Sequence, residues 1–131
     1  MCNSNLNSEN ILIVEDNEIC NEILSEYLKS YNFNVCIVVN GKEAVDLVKN
    51  SGKSFCLILM DIVMPIMDGC MAAKKIKEID SNIPIIAQTA IDFRNNPTVD
   101  FSNFDHAILK PLNLKKLKDI IDIVTNKYAE K

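Results

Sequence analysis

Leu57 to Gly69 reads LILMDIVMPIMDG. With Phe55 and Cys56 ahead of it, the run from Phe55 to Met60 has no polar member. It is too short for a typical helix and is read as a strand. A uniformly apolar strand is covered on both faces, which points to a parallel sheet flanked by helices. Asp61 follows at once, then apolar residues around Pro65, then Asp68-Gly69. A carboxylate at the edge of a core is costly unless something pairs with it. Asp61 therefore marks a site.

Working outward, NILIV at Asn10–Val14, FNVCIVV from Phe33, Pro84–Ala87 and HAILKP from His106 are further strands. Helical spacing of apolar residues predicts helices over Asn17–Ser30, Lys42–Lys49, Gly69–Ile79 and Asn113–Tyr128. Asn17 or Asp16 caps the first, and Asn40-Gly41 is a turn signal. The segment Asp92–Asp105 is poor in helix formers, and a short helix over Pro97–Ser102, with Pro at its first turn, is predicted there. Strand alternates with helix five times. That order gives a doubly wound parallel sheet of order 2-1-3-4-5, with a site at the carboxyl ends of strands 1 and 3.

At 131 residues the chain makes one domain, over residues 10–126, with a disordered tail at 1–9 and a short tail at 127–131. The net charge of −4 argues against nucleic acid as a direct partner, which needs clustered Lys and Arg. No apolar run approaches membrane-spanning length, so no membrane contact by the domain is expected. Five cysteines without a C-x-x-C pair read as reduced core residues in a cytoplasmic protein.

The polar residues at the strand ends carry the chemistry. Glu15 and Asp16 follow strand 1, Asp61 follows strand 3, Thr89 and Ala90 follow strand 4, and Lys110-Pro111 ends strand 5. Three neighbouring carboxylates repel one another, and a hard divalent cation such as Mg²⁺ relieves that repulsion. A Lys and a hydroxyl in the same crevice suit an incoming phosphate. The set reads as a phosphoryl-transfer site with a carboxylate nucleophile.

VEDN at Val14–Asn17, LMDIVMPIMDG at Leu59–Gly69, QTA at Gln88–Ala90 and LKP at Leu109–Pro111 resemble the receiver domain of two-component signalling, the form MDIxMPxMDG looking most like receivers of hybrid histidine kinases. The resemblance implies a flavodoxin-like (βα)5 three-layer sandwich. It implies Asp61 as phospho-acceptor from a histidine kinase or phosphotransfer protein. It also implies Mg²⁺ held by Asp16, Asp61 and the Val63 carbonyl, with Glu15 acting through water. Thr89 would be the switch hydroxyl, Lys110 the phosphate-binding cation, and the bond before Pro111 cis.

The chain departs from that pattern in places. Ala107 stands where the family usually has an aromatic switch residue, and neighbouring His106 faces the other side of its strand. Asn103 replaces a common Gly, a position where Asn tolerates a left-handed backbone. Val63 and Ile91, two residues beyond Asp61 and Thr89, are apolar, which predicts a long-lived phospho-form. The helix before strand 5 is expected to be short or mobile. The oligomeric state is open, a weak homodimer included.

The alternative is a Mg²⁺-dependent phosphohydrolase working through an aspartyl-phosphate. Such an enzyme wants a second Asp where Val63 stands. A nucleotide-binding domain needs a Gly-rich turn where the chain has VEDNE.

Overall fold

The computed structural model describes residues 9–52, 54–90 and 99–126. In chain order these form β1 (Asn10–Val14), α1 (Glu18–Lys29), β2 (Asn34–Val38), α2 (Gly41–Asn50), β3 (Phe55–Met60), α3 (Gly69–Ile79), β4 (Ile85–Thr89), β5 (His106–Leu109) and α4 (Leu114–Asn126). All five strands are parallel, in the order β2-β1-β3-β4-β5 that the alternation predicts.

Period-two alternation divides the core between two layers. Leu12, Val14, Ile58, Met60 and Ile85 pack with Ala44 of α2 and Ala72, Ala73 and Ile76 of α3. Ile11, Ile13, Leu57, Leu59, Ile86 and Ile108 pack with Leu24 and Leu28 of α1 and Leu117 and Ile121 of α4. Both faces of β1 and β3 are thus covered, as their unbroken apolar runs require.

Every described helix is entered through an Asn or Asp whose side-chain oxygen accepts an amide three residues on. Asn17 Oδ1 takes Cys20 N (2.9 Å), Asn40 Oδ1 takes Glu43 N (2.8 Å), Asp68 Oδ1 takes Met71 N (2.9 Å) and Asn113 Oδ1 takes Lys116 N (3.1 Å). Each bond satisfies a donor that has no partner within its helix. The cap of the first helix is therefore Asn17 rather than Asp16. Asn40-Gly41 is a helix start, not an isolated turn.

Four differences from the sequence reading stand out. Thr89 is the last residue of β4 rather than a residue after it, because the strand runs on past Ala87. Residues 91–98, with Ile91 and the start of the expected short helix, lie outside the described residues, as do the tails 1–8 and 127–131. The described part of that expected helix, Val99 to Ser102, is not helical. Asn103 does not take a left-handed backbone. Cys20, Cys56 and Cys70 are free, and burial first of all pushes the Cys56 thiol up to about 12, where it is inert. Cys36 is disulfide-bonded, against the expectation of reduced thiols throughout.

The loop between β3 and α3 is fixed by close backbone approaches. Gly69 N donates to Ile62 O (2.8 Å) and Gly41 N to Met67 O (3.1 Å). A Cβ on Gly69 would collide with the Asp61 carbonyl oxygen and lie 2.9 Å from Ile62 Cα. Between these ties Met67 N donates to Pro65 O (2.7 Å) across Ile66, whose φ is +70°. That is a γ-turn of the positive-φ form, which costs a β-branched residue about 1–2 kcal/mol. Because the colliding atoms are backbone, Gly69→Ala is expected to destabilise the fold by about 1–3 kcal/mol in urea denaturation. An unchanged midpoint would contradict the close approach.

Candidate metal and phosphoryl site

The sheet brings the carboxylates together by register. Val14 is paired with Met60, and Asp61 N donates to Val14 O (3.0 Å), so the residues after β1 and β3 emerge side by side. Glu15 is buried (1% exposed), Asp61 is buried (7%), and Asp16 is exposed. One oxygen from each lies within 4.8 Å of the others.

Lys110 reaches into this cluster from the end of β5. Its Nζ donates to Glu15 Oε1 (2.6 Å) and lies 3.5 Å from Asp61 Oδ2. Lys110 N donates to Thr89 O (2.7 Å), tying the end of β5 to the buried end of β4. The Lys110–Pro111 bond is cis, as the resemblance implies. Asp61 Oδ1 accepts Ile62 N (2.8 Å) and Glu15 Oε2 accepts Asn17 N (3.1 Å). Val63 lies in the loop just beyond, its side chain 66% exposed.

Three carboxylates thus face one ammonium. Burial raises the Glu15 carboxyl above its ordinary range and the Asp61 charge adds to this; the bonds from Lys110 and Asn17 pull the other way. Burial depresses the Lys110 ammonium, but its bond to Glu15 and the charges of Asp61 and Glu15 outweigh that, and the net shift is upward. The donor set is all oxygen and overcharged for a single lysine, which fits a hard divalent cation.

Sequence reasoning named every charged member of this cluster. It missed Asn21, which is buried and donates to Glu15 O (2.7 Å), holding the turn after β1. A polar residue on the apolar face of a helix is the signal that could have found it. It also missed the closeness of Gly69 to Asp61, which a sequence cannot show. Ala107 pairs with Ala87 and is half-buried, while His106 is exposed and pairs with Ile86, so the two do face opposite sides.

A doubly wound sheet with an acidic, lysine-bridged crevice at its carboxyl edge defines a class of phosphate- and cation-handling domains. Residues 11–122 match the family profile of the response regulator receiver domain, and the chain belongs to that family. It is a receiver domain of two-component signalling with its acidic cluster at the phosphorylation site. It is 35% identical over 130 aligned positions to hybrid signal transduction histidine kinase I of Dictyostelium discoideum, covering 93% of this chain and 8% of that protein. It is 32% identical over 113 positions to transcription factor SKN7 of Candida albicans, covering 85% and 20%. The chain thus spans a small part of these relatives. Among solved structures, it resembles the receiver domain of a sensor histidine kinase from Pseudomonas aeruginosa, which has magnesium in its active-site cleft (TM-score 0.83, 26% identity, covering 91% of this chain and 98% of that one). It also resembles response regulator TrrA of Thermotoga maritima in complex with Mg²⁺ and BeF (TM-score 0.78, 27% identity, covering 88% and 98%). No described helix is long and apolar enough to cross a membrane. The phosphohydrolase alternative is not favoured.

Two expectations follow from the charge balance. Mg²⁺ should raise the melting temperature, by about 1.4 kcal/mol of stability at roughly tenfold above its dissociation constant. Asp16→Asn should lose most of that gain in a thermal-shift titration, and an equal gain would remove Asp16 from the cation site. In Mg²⁺-free buffer the raised Glu15 carboxyl favours the fold below its ordinary value of 4.5 and loses that advantage as pH climbs through the raised value. The stability difference between wild type and Glu15→Gln should therefore move towards the Gln variant as pH rises above 4.5, read by urea midpoints across the acid range.

Proposed function

We propose that Asp61 is the phospho-acceptor of a phosphorelay and that this chain's own crevice catalyses both its loading and its loss of phosphate. The observation that carries the reading is the meeting of Glu15, Asp16 and Asp61 with Lys110 at the carboxyl edge of the sheet. Asp61 Oδ1 is engaged by the Ile62 amide, which leaves Oδ2, facing Lys110, as the nucleophile. A bond forms from Oδ2 to phosphorus as the phosphorus–nitrogen bond of a phosphohistidine breaks, and the electron pair stays with the donor imidazole.

In this reading Lys110, which lies against Glu15 and Asp61, neutralises charge on the transferred group, and the Thr89 hydroxyl acts as the switch that turns towards it. Asp16, Asp61 and the Val63 carbonyl would hold Mg²⁺, with Glu15 acting through water. When bound, the ion supplies positive charge to the phosphoryl oxygens. Donors are a histidine kinase or phosphotransfer protein, the folded unit is residues 10–126, and the location is cytoplasmic. Weak pairing of two copies fits the same reading.

Intact mass after incubation with a small acyl phosphate and Mg²⁺, without kinase, tests this. A phosphoryl adduct is expected in wild type and not in Asp61→Ala. An adduct in both would move the acceptor elsewhere. Val63 offers no polar group to orient water beside Asp61, so the adduct should persist for minutes or longer after donor removal; loss within seconds would refute that.

A further inference from the structure

We propose that the groove between α1 and the edge strand β2 docks a cationic, Lys- or Arg-bearing segment of a partner protein. This groove adjoins the acceptor crevice at Asp16, which borders both, but its docking chemistry does not rest on the phosphoryl reading. The groove encloses about 580 Å³, with Glu18, Glu22 and Glu26 on one wall, Ile37 and Val39 on the other and Asn21 among its lining. β2 pairs with β1 alone, so its outer side is uncovered among the described residues.

Three features give the groove its chemistry. Glu18, Glu22 and Glu26 stand four residues apart, exposed, and none makes an ion pair among the described residues. Like charges at this spacing weaken a helix. By contrast α2 and α4 pair acids with lysines at that spacing, as in Lys42–Asp46 and Lys118–Asp122. Asn21 uses its Nδ2 on Glu15 O, while its Oδ1 is buried without a donor among the described residues. An acceptor left in that state is costly, and its residue stands among those that line the groove.

Ile37 and Val39, 36% and 45% exposed, form an apolar wall suited to the methylene stems of Lys or Arg. A metal ion fits less well. Among the described residues, the acids close enough to hold one are Glu15, Asp16 and Asp61. The α1 row spreads its charge along the helix, which matches a row of cationic side chains. Its sign excludes nucleic acid and anionic lipid.

The experiment is an amide NMR titration of the full chain, with saturating Mg²⁺ to occupy the crevice, using a short peptide of alternating Lys and Val. Wild type and Asp61→Ala should both show shifts along Glu18–Glu26 and Val35–Val39. Affinity should fall with salt. Glu22→Lys/Glu26→Lys should weaken binding about tenfold or more, and Glu22→Gln/Glu26→Gln by less. Both positions are exposed, and the Mg²⁺-induced melting shift of each variant should match wild type. The proposal is overturned if the peptide does not bind, if a Glu-Val peptide binds equally, if shifts centre on Asp61, or if both variants bind as wild type does.

Discussion

The Lys110 ammonium is the contact on which the arrangement turns. It bridges Glu15 at the end of β1 and Asp61 at the end of β3 from the end of β5. Without it, two buried carboxylates would meet with no compensating charge, and a buried pair broken on one side leaves a costly orphan. The bridge is also incomplete, since Asp16 brings a further acid to the same place. A crevice that folds and yet remains short of positive charge is primed for a cation and for an electrophilic phosphorus.

The architecture was legible because the strands of this sheet have no polar alternation to confuse with helix. Phe55–Met60 and Asn10–Val14 could only be buried on both sides, and that one inference yields layers, strand direction and the end that bears the site. The charged site residues were legible for the same reason, since each stands where an apolar strand stops. Other features depend on distance, not on residue type. Thr89 continues β4 because its neighbours bond to β5, and Gly69 matters because the Asp61 carbonyl lies against it. Asn21 looked like an ordinary polar helix residue until its bond to the Glu15 carbonyl placed it. Cys36 sits on an apolar strand, which gives no warning of its bonded state.

The resemblance to receiver domains and this chain's own residues part company on the strand that leads to Lys110. Ala107, where the resemblance implies an aromatic ring, is a smaller, half-buried side chain opposite Ala87 on the strand that leads to Lys110. Two alanines facing each other across β4 and β5 leave that part of the sheet thinly filled. The proposed switch at Thr89 would therefore have little bulk to push against on this side. The exposed His106 faces the other way and adds none.

The loop that follows Asp61 is fastened at both ends. Ile62 is held by the first amide of α3, and Met67 by the first amide of α2. Each fastening is a glycine, so the two helix starts press directly on backbone with no side chain between to yield. The loop therefore works as a rigid anvil. If Asp61 takes a phosphoryl group as proposed, this loop would yield little, and the room would have to come from the opposite wall, where Thr89 ends β4 and Lys110 follows β5.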